Sequence, residues 1–444
     1  MNRKISYRWI VATTLFVAYS IQFLDRVKTN LLNPFIAADI GLSAADIGTG
    51  TFLMLIFYGP AQYVSGVLTD RFGAKKILIL SVISWSVMTA WMGLIHDRNE
   101  YFIRMAIFGI LVGTEYVPSA RILMRWFNKD GRARAQALLS WAWILTPAWA
   151  SIFATQLATH TSSWRTVFFI TGALGVVPLL LIALLVFDRP EQYRGISREE
   201  LQYSYKDEIE AGILTGDNFQ DVQRQILKVR NFSFLDLFKS RAYIAVVVVD
   251  VVMQVTYWGA SIWIPLYLAD EFGFKLLSMG YWSALYFAAG AIGSFVSSYL
   301  SDTVFRGNRR VMIAACFAGL APFVLAMATL QTGNQTALAI VLCGMGFFAN
   351  VVWGPFLAAP AEIFTPEVYG KAMGFVNGVG YVVAAFSAQI FASLIITTSA
   401  GKSYSQGWMF LAVCILVGIA ASWFIRIESS YDALAPTATS GETS

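Results

Sequence analysis

The chain has 444 residues and a formal net charge of +5, with 57% hydrophobic residues and only 13% charged ones, whereas a soluble domain carries about 25% charged residues. Water cannot be its only solvent, and the Lys and Arg residues lie between apolar segments without forming a basic domain, which argues against a nucleic-acid partner. Cys316, Cys343 and Cys414 fall inside apolar runs with no paired spacing, so neither a disulfide framework nor a metal site is expected.

The basic start, Met1 to Arg8, leads into an apolar run without a small-residue cleavage site and is read as retained. Crossing a hydrocarbon core of ~30 Å takes roughly 20 helical residues. Twelve such spans are expected, at 9–28, 46–68, 77–96, 102–123, 133–157, 165–187, 242–268, 279–300, 310–329, 336–358, 371–397 and 406–426. The polar stretch 188–241 divides them into two sets of six. The expected organisation is therefore an all-α membrane protein with an N-terminal six-helix bundle (1–187), a cytoplasmic central loop (188–241), a C-terminal bundle (242–426) and a disordered cytoplasmic tail (427–444).

Basic residues set the orientation. With the N-terminus inside, Arg26, Lys28, Arg98, Arg104, Arg165, Lys275 and Lys402 fall on the outer side or at outer helix ends, which leaves 25 of the 32 Lys and Arg inside. Both termini are expected in the cytoplasm of a bacterial cell, with the chain in its inner membrane. His96 and His160 lie at or beyond outer ends, outside any buried proton relay. No G-x-x-x-x-G-K-[ST] loop occurs, so the chain carries no ATP motor of its own, and no cofactor is expected.

The first ionisable group met inside a span is Asp25, Arg26 and Lys28. An ionisable residue at the bilayer centre costs about 2.5 to 3.5 kcal/mol on the lenient insertion scale, so several together need a reason. Either they neutralise one another, or Arg26, with Lys28 as a second candidate, faces an anionic substrate while Asp25 exchanges a proton. Next comes the run Gly66, Asp70, Arg71, Gly73, Lys75 and Lys76 at the inner end of the second span, echoed in the other half by Gly293, Ser301-Asp302, Arg306, Arg309 and Arg310. Two copies of one six-helix unit suit alternating access around a midplane site. Glu115 falls mid-span in the fourth helix behind Gly113, where a carboxyl group suits proton uptake and release. In the second half, Asp250 lies in an apolar run, and Gln254 and Tyr257 share a helix face at midplane depth.

The Gly66 to Lys76 run resembles the cytoplasmic signature of the major facilitator superfamily at every position, which implies that fold: twelve helices in two bundles, and a carrier rather than an enzyme. Asp70 and Arg71, with Gly66 and Gly73 allowing close approach, are expected to form a conformational latch that holds the inside closed. The first-helix Leu24-Asp25-Arg26, the spacing Tyr58-x-x-x-Gln62-x-x-x-Gly66, the block Gly113-x-Glu115-x-x-Pro118 with Arg121, Trp126 and Phe127, and Gly374-x-x-Asn377 with Gly380 look like the anion:cation symporter branch. That resemblance implies Asp25 and Glu115 as proton-coupling carboxylates, Arg26 on the substrate carboxylate, and Tyr58, Gln62 and Asn377 at hydroxyl-binding positions. Tyr257 is added from its helix face. Many members have an Arg where this chain has Phe108; Arg104, one turn further out, is the candidate to replace it. The usual Pro before the signature is replaced by Tyr63-Val64-Ser65, and Asp250 has no counterpart.

The expected function is proton-coupled symport of a small organic anion, a sugar acid such as a hexuronate or aldonate, by a monomer in the lipid bilayer. Asp25 and Glu115 together would allow two protons per monoanion. The alternatives are an organophosphate or phosphate exchanger, a transport-dead membrane sensor, and an efflux pump for lipophilic cations, which Arg26 disfavours.

Overall fold

A computed structural model describes residues 6–206, 209, 238, 240–305, 308–330, 333–356, 366–398 and 401–425. The expected tail at 427–444, most of the central loop, Arg306 and the side chain of Asp302 lie outside the described residues.

Apolar sequence becomes helix here because a bilayer offers the backbone no hydrogen-bond partners. The first half comprises α1 (Tyr7–Ile40), α2 (Ala44–Phe72), α3 (Ala74–Met92), α4 (Arg98–Val112), α5 (Tyr116–Trp126), α6 (Lys129–Thr161), α7 (Trp164–Leu174) and α8 (Val176–Leu185). A short α9 (Arg198–Ser204) follows. The second half comprises α10 (Arg241–Asp270), α11 (Leu276–Thr303), α12 (Arg309–Thr329), α13 (Gln335–Val351), α14 (Pro366–Ser393) and α15 (Ser405–Ser422). Among the described residues eleven spans are long and apolar enough to cross a membrane, with α4 and α5 forming one and α7 and α8 another. The 28-residue α11 stands where the eighth span was expected.

Two boundaries differ from the sequence expectation in ways that matter for the site. The first helix does not stop near residue 28 but runs to Ile40, ending on Gly41 at φ 73. Charges lowered the hydropathy of 25–30, yet all six of those residues are buried. Arg26 and Lys28 are therefore interior groups rather than outer-end ones. The last residues of the expected eleventh span, Ile396–Thr398, leave the helix and pair with Gly401–Ser403 as a two-stranded hairpin.

The two halves meet along α2 with α14, α6 with α11, and α1 with α10. At the end away from the signature the meeting is tight. A side chain on Gly48 would strike Ala392 and the Ala388 carbonyl, one on Gly280 would strike Thr155, and Gln156 Nε2 donates to Tyr281 Oη at 3.3 Å. Such small-residue contacts let membrane helices approach closely. At the signature end, α9 and the preceding turn strap the first half: Tyr7 stacks on Tyr193 at 3.7 Å, the Arg8 amide donates to Glu200 at 2.8 Å, and Ser204 Oγ donates to the Trp126 carbonyl at 3.0 Å.

Candidate functional site

The site starts from a broken helix. Pro118 has no N–H to give the carbonyl four residues back, and α4 gives way to α5 across Gly113, Thr114 and Glu115. The Thr114 carbonyl accepts from Ser65 Oγ of α2 at 2.6 Å. The Val112 carbonyl accepts from α1, from Gln22 Nε2 at 2.6 Å and Arg26 Nη2 at 3.1 Å. Irregular backbone at membrane depth is tolerated only where such partners exist. Here the break anchors Arg26.

Arg26 is 3% exposed, and its guanidinium lies 4.2 Å over the Tyr58 ring and 5.3 Å from that of Phe23. Its Nε has no hydrogen-bond partner and no carboxylate pairs with it among the described residues. It opens on a cavity between the halves, lined from α1 by Phe23 and Asn30, from α6 by Ser151, from α10 by Tyr257, Trp258 and Ser261, and from α11 by Ser283. Trp258 Nε1 and Ser283 Oγ also lack a protein partner, and Ser261 Oγ has only the hydroxyl of Tyr257 beside it. Buried polar atoms are nearly always paired, and here several donors converge on one cavity where a guest could satisfy them. The free volume is only about 20 Å³, room for one water. A larger guest requires the halves to separate.

Beside the cavity, Tyr58 and Tyr381 approach to 4.5 Å between ring centroids. One turn closer to the signature end, three amides bridge the halves: Gln254 Nε2 donates to Asn377 Oδ1 and Asn377 Nδ2 donates to Gln62 Oε1, both at 3.1 Å. The structure thus places Arg26 and Tyr257 on the cavity, Tyr58 under Arg26, and Gln62 and Asn377 in one chain with Gln254.

The two candidate acids differ. Asp25 is paired with Lys28, and its other oxygen accepts from Thr89 Oγ1 at 2.7 Å. Neither Asp25 nor Lys28 lines the cavity. Glu115 is 0% exposed, and the one hydrogen-bonding group at its carboxyl is the indole nitrogen of Trp85, which lies outside close hydrogen-bond geometry. Asp25 and Arg26 are near enough for their charges to act on it.

Several sequence expectations change. Lys28 faces Asp25 and Phe168 rather than the cavity that Arg26 lines. Arg104 does not replace the missing arginine at 108: its Nη1 donates to the Trp91 carbonyl at 2.6 Å and its Nη2 pairs with Glu100 at 3.0 Å. Asp250 is buried, with Oδ2 unpaired, against Gly380 of α14. Trp258, in sequence one of several intramembrane aromatics that suit packing, also reaches the cavity, as do Ser261 and Ser283, whose sequence trace is the four-residue spacing of Tyr257 and Ser261 on one face of α10.

In the signature, Gly73 takes φ 93, and a side chain there would lie 3.0 Å from Asp188 Oδ2, whose partner oxygen accepts from the Lys75 amide at 2.7 Å. Asp70 pairs with Arg121 of its own half at 2.6 Å, and both are about half exposed. An ion pair so open to solvent is worth about 0–1 kcal/mol. No described residue of the second half engages Asp70, which suits a latch that is released while the opposite end is shut. Asp70→Ala is accordingly expected to leave this state intact and to raise cysteine-accessibility labelling from the signature side, because only the alternative state loses a contact. Unchanged labelling refutes the latch.

The sequence profile of the Major Facilitator Superfamily matches residues 15–388 and, overlapping, 278–442. The chain is 26% identical to the probable sulfoacetate transporter of Cupriavidus necator over 96% of this chain and 95% of that one. It is 25% identical to the probable galactarate/D-glucarate transporter of Escherichia coli, over 94% and 93% respectively. Its fold is similar to that of a bacterial homolog of the human lysosomal transporter Spinster, solved inward-facing and occupied, with a TM-score of 0.72 at 16% identity over 95% of this chain and 97% of that one. A profile matched along most of the chain, together with the paired halves and the signature loop, settles the family: the chain belongs to the Major Facilitator Superfamily.

Proposed function

We propose that this carrier moves a small organic anion, a sugar acid, inward together with a proton by alternating access. The observation that carries the reading is a buried Arg26 guanidinium that has no carboxylate partner and opens on a cavity between the halves, with the Glu115 carboxyl, which no cation pairs, near it. A cation held without a counter-ion in a low-dielectric site is costly unless an anion comes to it. An ionised carboxylate without a partner is costly too, so Glu115 suits a group that is occupied by a proton in one part of the cycle and freed in another.

The polar atoms of Trp258, Ser261 and Ser283 fit the hydroxyls of a sugar acid, as do the amides of Gln62, Gln254 and Asn377 once the halves part. The similarity to a probable galactarate/D-glucarate transporter and to a probable sulfoacetate transporter favours the same ligand class, a small molecule with one or two fixed negative charges. Among the described residues that line the cavity Arg26 is the one basic side chain, which weighs against a phosphate exchanger that would need basic groups from both halves. The excess of basic residues at the signature end supports placing that end in the cytoplasm, in the inner membrane of a bacterial cell, with the monomer as the transporting unit.

The test is uptake into proteoliposomes, acid outside, of labelled galactarate, glucarate, galactonate, glucuronate and sulfoacetate, alongside thermal shifts of the purified protein with the same compounds. Accumulation of at least one of them above its outside concentration is expected. Thermal shifts without accumulation would favour a sensor, and no response to any of the five defeats the sugar-acid assignment.

A further inference from the structure

The two buried acids of the first half stand in opposite circumstances. Asp25 is 1% exposed and Lys28 0%. Three residues apart on α1, they lie on one face of the helix and form an ion pair whose second carboxyl oxygen is taken by Thr89 of α3. The Lys28 ammonium is also 4.7 Å over the ring of Phe168 on α7. The groups around the pair are thus accounted for: Arg26 follows Asp25 on α1 and turns to the Val112 carbonyl, α3 supplies Thr89, α7 supplies the Phe168 ring, and Glu115 lies at the break between α4 and α5. Glu115 itself has no ion-pair partner among the described residues and only the Trp85 indole nitrogen at its carboxyl.

We propose that Lys28 sets the proton count of the cycle: it holds Asp25 as a permanent ion pair, and Glu115 alone takes up and releases the coupling proton. The proposal rests on the symport reading above and deepens it. Putting a proton on Asp25 strands Lys28 as an isolated buried cation, and taking one from Lys28 strands Asp25 as an isolated buried anion. Breaking a buried pair from either side is strongly unfavourable, so the pair passes through the cycle as one neutral unit. Because neither member lines the cavity, an arriving anion does not compete for Lys28. One proton then travels with one monoanion, the loaded step carries no net charge, and transport answers to the pH gradient rather than to the membrane potential.

The experiment needs no substrate. Infrared difference spectra between acid and alkaline pH are recorded on the purified full-length protein, following the stretching band of a protonated carboxyl group. Recorded in an Asp250→Asn background, which removes the other buried carboxyl with an unpaired oxygen among the described residues, the pH-dependent band is expected to vanish in Glu115→Gln and to survive unchanged in Asp25→Asn/Lys28→Met, which swaps the ion pair for two neutral groups. In Lys28→Met a second band should appear, lost again on adding Asp25→Asn. Loss of the first band in the double variant overturns the proposal, and so does the absence of a second band in a folded Lys28→Met protein. Where Lys28→Met alone does not fold, the comparison of the Asp250→Asn parent with the double variant decides. A band that persists in Glu115→Gln is a different failure, since it removes the proton assignment on which the symport reading stands.

Discussion

Glu115→Gln is expected to abolish uphill accumulation driven by a pH gradient while leaving exchange of labelled for unlabelled anion intact. The amide has the shape of the protonated acid, no cation pairs with Glu115 among the described residues, and the amide oxygen can still accept from the Trp85 indole, so the fold is retained. What it removes is the choice between two protonation states. A carrier fixed in the protonated-like form can bind an anion and turn over with it in either direction, but it cannot return empty having delivered a proton. One pH unit supplies about 1.36 kcal/mol per proton, a tenfold accumulation at one proton per anion, and in the variant net uptake is lost while exchange remains. The wild type should gain with acid on the outside, and the variant should be indifferent to it. Tenfold accumulation retained in Glu115→Gln sinks the assignment. Asp25→Asn differs in kind, because it leaves Lys28 buried without its carboxylate, a loss of about 3–5 kcal/mol in comparable pairs, and its main readout is a fall in the yield of folded protein.

That contrast bears on how far the sequence could be read. The spans were legible because hydropathy reports the solvent directly, and the signature was legible because its glycine at φ 93 and its charges serve a local turn. The end of α1 was not, since Asp25 to Asn30 look like an exit to water until their partners on α3 and α7 are known. Whether Arg26 or Lys28 neutralises Asp25 was left open, although helix geometry answers it: adjacent residues point apart, and residues three apart share a face. Gly113 and Pro118 announced a weak point in the fourth span, but not that its freed carbonyls would hold Arg26 and Ser65. Arg26, Tyr58, Gln62, Tyr257 and Asn377 came from resemblance and helix face. The hydroxyls of Ser261 and Ser283 gained meaning only when α10 and α11 brought them to one cavity.

Arg26→Lys is expected to be nearly as damaging to substrate affinity as Arg26→Ala. The guanidinium is held flat by the Tyr58 ring at 4.2 Å and by the Val112 carbonyl at 3.1 Å, which leaves part of its fork for a carboxylate. A planar fork meets a carboxylate with two parallel hydrogen bonds, whereas an ammonium is a point charge on a flexible stem and cannot reproduce both. A hydrogen bond to a charged group is worth about 1.5–3 kcal/mol, so losing one weakens binding roughly tenfold to hundredfold. The structural alternative, in which Arg26 exists to neutralise Asp25, predicts that Lys at 26 is harmless; the pairing of Asp25 with Lys28 instead already removes that role from Arg26. The measurement is calorimetry in detergent with whichever anion drives accumulation, on wild type, Arg26→Lys and Arg26→Ala, each first shown to be monodisperse. Affinity within about threefold of wild type in Arg26→Lys, well short of the loss of one charged hydrogen bond, would mean that charge alone matters at this position. Wild-type affinity in Arg26→Ala would move the anion site away from the cavity that Arg26 lines.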